Sequence, residues 1–328
     1  MVKNIWLYAG ISEYLRLVID FGFYSVDTEL MPTSLTENAL SADNQQGTPI
    51  LSETPQRLNA KYPSKNKVTG IEAILLGILY TDGCLSKKSK NSWRFYLSNT
   101  SYKIIQIFKN CMIVFFGLDN KRVRISEKNI NGKPFYKAVV DSAICGEFLN
   151  SRYGTFRTLA FKNGDGKEIY PPTKLPFGKY SDHQIISRFL KTAFSCDGGI
   201  NLYVAKSKFG YKFLIRNAYI ACKHPQLQVD YLELLKVLGI KSKIIEKDGK
   251  ILIQGRNELN KFKEKIGFIK GVRITQNSAF WQGFEKSKVL DLALDSYNDP
   301  RKIINLPRFK DNDIVRSSWR HEELNRNV

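Results

Sequence analysis

One short pattern occurs twice in the chain and constrains its fold more than any other feature. The first copy reads Leu75-Leu76-Gly77-Ile78-Leu79-Tyr80-Thr81-Asp82-Gly83, the second Leu190-Lys191-Thr192-Ala193-Phe194-Ser195-Cys196-Asp197-Gly198. Each is an apolar helical run that stops on an Asp-Gly pair, and the aspartates stand 197 − 82 = 115 residues apart. A glycine after the aspartate predicts release of the helix through the left-handed region, which Gly enters without strain. The aspartate then lies at the helix C-terminal end, where the macrodipole disfavours a negative charge. Folding asks for no such placement, whereas a bound cation would. Small residues at i, i+4 (Gly77 with Thr81, Thr192 with Cys196) give each helix a stripe on which a neighbour can approach closely. Packed side by side and in parallel, the two helices would bring Asp82 and Asp197 together on a pseudo-twofold axis. Such a carboxylate pair suits hard divalent cations. One copy alone is compatible with a helix ending in an Asp-Gly turn; two copies in matching contexts weigh against that reading.

The partner is signalled by charge. Lys and Arg number 51 against 31 Asp and Glu, a net charge of +20 in 328 residues, which points to a polyanion. A membrane surface is the rival, but no apolar run reaches spanning length and the start lacks a secretory signal pattern. The five cysteines form no CxxC pair and read as reduced thiols of a cytosolic protein, nucleoid-associated or organellar. Three scattered histidines cannot build a zinc centre.

Along the chain, residues 1–66 read as an extension, with an amphipathic stretch from Ile5 to Phe23 and linker composition from about Met31 to Lys67. A first unit is expected over 67–175, a second over 176–298, and a polar tail over 299–328. In the first unit, Trp93–Ser98 alternates as a strand with Phe95 and Leu97 inward and Arg94, Tyr96 and Ser98 outward. A helix over Ile104–Phe116 ends at Gly117; strands follow at about Lys121–Ser126 and Phe135–Val140, joined at Asn131-Gly132, then a short helix near Ala143–Asn150. The second unit repeats this order: a helix at Ile185–Cys196, strands at Ile200–Lys206 and Lys212–Cys222, a helix at Leu227–Leu238 before Gly239. A hairpin over Lys243–Gln254 turning at Asp248-Gly249 and a last helix at Glu258–Ile266 complete it. Leu97 matches Ile220 at offset 220 − 97 = 123, so the second unit carries about eight extra residues in its first hairpin. The expected fold class is α+β, two pseudo-symmetric α-β-β-α-β-β-α units packed through paired motif helices and forming a saddle-shaped antiparallel sheet surface.

Cations cluster on these strands with few acids beside them. Lys87, Lys88, Lys90, Arg94, Arg122, Arg124 and Lys137 in the first unit are candidate DNA contacts, with Tyr96 and Ser98. In the second, the candidates are Lys206, Lys208, Lys212, Arg216, Asn217, Tyr219, Lys223, Lys243, Lys247 and Gln254. Antiparallel strands can lie in the major groove and read base edges, with phosphate contacts giving a salt-dependent affinity.

Over about residues 69–290 the pattern resembles the LAGLIDADG homing endonucleases, specifically the monomeric two-motif, archaeal-type members. The two nonapeptides carry the resemblance, supported by Trp93–Thr100, Leu234-Leu235-Lys236-Val237-Leu238-Gly239-Ile240 and Ile266-Gly267-Phe268-Ile269-Lys270-Gly271. It implies a monomer that cuts both strands of a long, specific duplex by metal-dependent phosphodiester hydrolysis. Two or three Mg²⁺ would be held by Asp82 and Asp197 with the carbonyls of Thr81 and Cys196; Mn²⁺ would substitute, and Ca²⁺ would bind without supporting cleavage. Asn99 falls where some members position a metal-bound water, and its counterpart is Cys222. Lys270 resembles a basic residue placed near the scissile phosphates, with Lys174 as its first-unit candidate. Lys191 and Thr192 depart from the family pattern of an apolar residue and Gly. The alternatives on the same scaffold are an RNA-binding intron maturase and a non-catalytic DNA-binding regulator. An intein is disfavoured by the terminal residues.

Overall fold

The computed structural model describes residues 68–309, apart from 90, 91, 131, 179, 180, 276, 277, 279, 307 and 308. The extension expected over 1–66, with its Ile5–Phe23 helix, lies outside the described residues, as does Lys90.

Helix α1 (Gly70–Leu79) opens at Thr69, whose hydroxyl accepts from the Glu72 amide while the Glu72 carboxylate accepts from the Thr69 amide, 3.2 Å each. This reciprocal cap satisfies two donors that a helix start leaves unpaired. Every residue of α1 is buried, as its apolar circumference demands. The one acid among them, Glu72, is also held by Tyr153 and Arg152. Strands β1 (Gly83–Ser89) and β2 (Ser92–Asn99) follow, then helix α2 (Tyr102–Phe116), which stops at Gly117 in the left-handed region (φ 63°). Strands β3 (Arg124–Ile130) and β4 (Lys133–Asp141) and helix α3 (Ala143–Tyr153) complete the unit. The strand expected from Lys121 starts later, because Asp119 accepts from the Lys121 amide and winds 120–122 into a 3₁₀ turn. The connector between this helix and the second unit carries a two-stranded ribbon, β5 (Phe161–Lys162) and β6 (Glu168–Ile169).

The second unit repeats the plan: helix α4 (His183–Asp197), strands β7 (Gly198–Lys206) and β8 (Lys212–Ala221), and helix α5 (Pro225–Val237). Strands β9 (Lys243–Ile245) and β10 (Lys250–Gln254) and helix α6 (Arg256–Lys265) follow. The two sheets have the same order, β1-β2-β4-β3 and β7-β8-β10-β9, all antiparallel. Registers match as well. Gly83 pairs with Leu97 and Gly198 with Ile220, spans of 97 − 83 = 14 and 220 − 198 = 22, so the second hairpin is longer by eight residues.

Alternation sends Phe95, Leu97, Ala138 and Val140 of one sheet, and Ile200, Leu202, Ala218, Ile220, Ile251 and Ile253 of the other, into a single core. Each fully buried Leu or Ile contributes on the order of 1.5–3 kcal/mol. Helices α1 and α4 pack against each other at its centre. A Cβ on Gly77 would lie 2.8 Å from the Phe189 carbonyl oxygen and 2.8 Å from Thr192 Cβ, so the helices cross where the small residues stand.

Beyond α6 the chain carries helices that the repeated plan does not call for. Helix α7 (Lys286–Asp295) packs on β7 and β8, and a short helix α8 (Arg301–Ile304) buries Ile303. Trp281 donates its indole N–H to the Leu202 carbonyl of edge strand β7, and Phe280 stacks on Tyr203. Phe309, inside the tail expected from 299, is buried against both rings. This segment covers a sheet edge that would otherwise offer unpaired backbone groups.

Candidate active site

The C-terminal ends of α1 and α4 meet, and their aspartates face each other. Asp82 stands in the turn after α1, Asp197 is the last residue of α4, and the two carboxyl groups lie within hydrogen-bond reach. Neither following glycine is left-handed. Gly198 is extended (φ −99°, ψ 174°) and leads straight into β7, correcting the expected left-handed release. Close approach is what excludes a side chain at these positions. A Cβ on Gly198 would come 2.5 Å from the Phe194 oxygen and 2.7 Å from the Tyr219 oxygen; on Gly83 it would come 2.9 Å from Leu79 Cα.

Each carboxylate has its own surroundings. Asp82 Oδ2 accepts from Asn99 Nδ2 at 2.7 Å, and Asn99 Oδ1 accepts from the Ser101 amide at 2.6 Å, so the turn that leads into α2 aims the amide at the aspartate. Leu97 and Ile220 being equivalent, Cys222 takes the place of Asn99 in the second unit; its thiol donates to the His224 carbonyl at 3.7 Å instead. The Cys196 thiol reaches both Thr81 and Asp82. The Tyr231 hydroxyl, buried beside Asp197, Cys222 and Cys196, has no hydrogen-bond partner.

The residue that sequence reading missed is Lys286. It is 5% exposed, and its ammonium donates to the carbonyls of Ser195 and Gly198 at 2.7 Å each and lies 3.4 Å from that of Cys196. Nothing in its local sequence marks it, because it arrives from α7, 91 residues beyond Ser195. The carbonyl of Cys196, expected as a metal ligand, is therefore shared with an ammonium.

Both aspartates are partly exposed, while protein fills most of the space around each carboxyl. Burial raises both carboxyls above the usual range, and the facing Asp82 charge pushes Asp197 further, up to about 7. The Lys286 ammonium, and for Asp82 the Asn99 amide, pull the other way. Burial drives Lys286 down while the acids oppose it. Among the described residues no group of three or more His, Cys, Asp or Glu side chains forms a metal cluster. A divalent cation would fit the pair: two facing, largely desolvated carboxylates gain a counter-charge from it.

Lys174 and Lys270 are both exposed and hang from matching points of the motif helices. Tyr80 donates its hydroxyl to the Lys174 carbonyl at 2.9 Å, and Ser195 Oγ accepts from the Ile269 amide, next to Lys270, at 2.8 Å. Tyr80 and Ser195 each precede their aspartate by two residues. Asp230 fixes the same connector by accepting from the Leu175 amide at 2.8 Å.

The expected DNA contacts divide. On the first sheet, Ser98, Lys137 and Ser126 form one row of the face opposite the core, and Tyr96, Val139 and Arg124 the next. Lys137 sits over the Tyr96 ring at 5.3 Å. Arg94 and Arg124 are not uncompensated as expected: Asp141, directly opposite Arg94, pairs with both guanidinium groups, and its carbonyl accepts from Arg122. Lys87 and Lys88 are exposed where the β1–β2 register shifts, Lys87 over Trp93 at 5.6 Å. In the second unit Asn217 is 8% exposed and accepts from Asn201, and Arg216 points to the helical side, where it donates to Ser296 Oγ and the Ser296 carbonyl. Arg216 is thus turned away from the outer face of the sheet, while Asn217 stays on that face with its side-chain oxygen engaged. Tyr219 lies under Lys250, in register with Leu252 and beside the Asn217–Gln254 pair. Lys206, Lys208 and Lys212 ride on the extended β7–β8 hairpin with exposed Phe209 and Tyr211; Lys223, Lys243 and Lys247 flank the β9–β10 hairpin.

Residues 184–267, α4 through α6, match the family model of the LAGLIDADG-like domain. No curated protein matches the chain. Solved structures similar to it include a variant of I-DmoI in complex with its target DNA in the presence of manganese, at 16% identity over 61% of this chain and 94% of that one, TM-score 0.37. I-WcaI bound to its DNA recognition sequence is 15% identical over 61% and 82%, TM-score 0.38. The LAGLIDADG homing endonuclease I-LtrWI bound to target DNA is 12% identical over 71% and 93%, TM-score 0.42.

Proposed function

We propose that this chain is a site-specific endonuclease that hydrolyses both strands of double-stranded DNA with a divalent cation, Mg²⁺ or Mn²⁺, acting as a monomer. The observation that carries this reading is the meeting of Asp82 and Asp197 at the ends of two paired helices, each placed by the same backbone plan. A pair of sites related by pseudo-symmetry suits a duplex, whose strands are themselves related by a twofold axis. Net charge of +20 supplies the attraction to phosphate.

Asp82 and Asp197 would hold the cation, which when bound lowers the pKa of a coordinated water and stabilises charge on the phosphate. Asn99 fixes the Asp82 carboxylate with one amide hydrogen and would direct the other to a water on the same side. The exposed Lys174 and Lys270 bring ammonium groups to the rim, where a phosphate in transit through its transition state gains charge. Cys196 and Tyr231 line the buried side and keep bulk water from entering beneath.

The test is incubation of supercoiled plasmids carrying an insert library with Mg²⁺, Mn²⁺ or Ca²⁺, beside Asp82→Asn and Asp197→Asn. Discrete double-strand cuts in Mg²⁺ and Mn²⁺, absent in Ca²⁺ and in both variants, are expected. Tight duplex binding with no cut under any ion would sink the enzyme reading, and preference for intron RNA over duplex would replace it with maturase function.

A further inference from the structure

The last carbonyls of a helix are acceptors with no intrahelical partner, and they carry the negative end of the macrodipole. Helices α1 and α4 resolve this differently. In α1 the Thr81 hydroxyl turns back to the Gly77 and Ile78 carbonyls at 2.7 and 3.1 Å. At the end of α4 the carbonyls of Ser195 and of Gly198, the first residue of β7, converge on Lys286 Nζ at 2.7 Å each, with that of Cys196 at 3.4 Å. The lysine is anchored independently of them. Its amide donates to the Val272 carbonyl at 3.0 Å, Val289 and Leu290 are buried, and Arg216 grips Ser296 at the far end of α7. A buried ammonium is thus delivered by a rigid helix into a cage of main-chain oxygens beside both aspartates. Oxygen cages next to carboxylates are what hard cations choose.

We propose that Lys286 is a positioning residue whose ammonium occupies the cation position on the α4 side of the Asp82–Asp197 pair, so that divalent ions bind the two motif helices unequally. The consequence for cleavage rests on the nuclease reading; the consequence for metal binding does not. An internal charge that belongs to the protein also couples the site to the docking of α7, since losing that helix removes the cation.

The test is a Mn²⁺ titration followed by electron paramagnetic resonance in the absence of DNA, on the full chain and on Lys286→Met, Lys286→Gln and Lys286→Arg. The unaltered chain is expected to hold one ion tightly. Lys286→Gln, which keeps a donor for the carbonyls without the charge, and Lys286→Met are expected to take up a second ion or to bind about tenfold more tightly, since one repelling charge a few ångströms away is gone. Lys286→Arg is expected to behave as the unaltered chain. Equal uptake by the unaltered chain and whichever neutral variant melts cooperatively would overturn the assignment. So would two ions of equal affinity in the unaltered chain, a result that needs no variant. A chain that binds no Mn²⁺ until Lys286 is neutralised would support the lysine's role while removing the nuclease reading.

Discussion

The two halves of the molecule share a backbone and differ in how they treat the same acid. Strand order, antiparallel pairing, the register at the motif glycine and the left-handed stops at Gly117 and Gly239 all repeat. Yet Asp82 is aimed by an amide from its own sheet, whereas Asp197 ends its helix among carbonyls clamped by a lysine from α7. Backbone symmetry therefore fixes where the carboxylates are, and side chains arriving from non-equivalent places decide what each can do. The largest expected effect comes from the shared feature. Asp82→Asn and Asp197→Asn should each lower cleavage by about 10³-fold or more while duplex affinity in Ca²⁺ stays within about threefold. Nicked-circle accumulation in only one variant would show that the halves act on separate strands independently.

A stability measurement sharpens the comparison next. The carboxyl of Asp197 holds its proton to about 7 in the folded chain against an ordinary 3.8 when unfolded. The folded state therefore binds more protons between those limits, and the stability of the metal-free protein should fall as pH rises from about 4 to about 7, by a few kcal/mol at most. Asp197→Asn should flatten that slope and raise the melting temperature at pH 8, and Mn²⁺ should do the same for the unaltered chain by binding the ionised pair. Thermal melts across pH with and without Mn²⁺ check this; a melting temperature indifferent to pH in that window contradicts the burial of the pair.

Helix contact comes third. Gly77→Ala puts a methyl group 2.8 Å from the Phe189 carbonyl oxygen, a backbone atom that cannot turn away. It should cost about 1–3 kcal/mol, seen as a lower urea midpoint. The facing Thr192→Ala only removes atoms and should cost less, although both lie five residues before their aspartates.

Which of these features could be read in the sequence follows from their range. The motif helices, the alternation around Phe95 and Leu97, and the eight-residue difference between hairpins are local patterns of burial and punctuation. Asn99 was found through the family resemblance, from its place at the end of the Trp93–Thr100 strand; the repeat then named Cys222 as its counterpart. Lys286 was hidden because its role depends on tertiary docking of a helix that lies outside the repeated plan. Asp141 was passed over for a related reason: its pairing with Arg94 depends on strand register, which periodicity alone does not give. Gly83 and Gly198 were noticed correctly but explained by the wrong cause, since close backbone approach and left-handed torsion both select glycine.

The smallest expected effect separates cations that face a partner from cations already engaged. Asp141 neutralises part of the Arg94–Arg124 pair on the first sheet, while Lys88 and Lys247 are exposed and pair with no acid among the described residues. Lys88→Ala or Lys247→Ala should therefore each reduce the slope of log affinity against log salt by about one, if that residue meets a phosphate. Asp141→Asn should act in the opposite direction. Burial leaves its carboxylate partly exposed, the two guanidinium groups hold its pKa down, and it is ionised throughout the neutral range. Removing that charge frees two arginines for phosphate, so duplex affinity at low salt should rise about two- to threefold and the slope should steepen by up to about one. Arg216→Ala provides the contrast from the second sheet: because Arg216 clamps Ser296 rather than facing outward, it should lower the melting temperature and leave the salt slope unchanged. Fluorescence anisotropy with a labelled duplex across a salt series, with melts of the same samples, distinguishes these outcomes. A salt slope that falls in Arg216→Ala would mean that this arginine leaves its helix to meet the backbone of the duplex, and the second sheet would then be the more adaptable half.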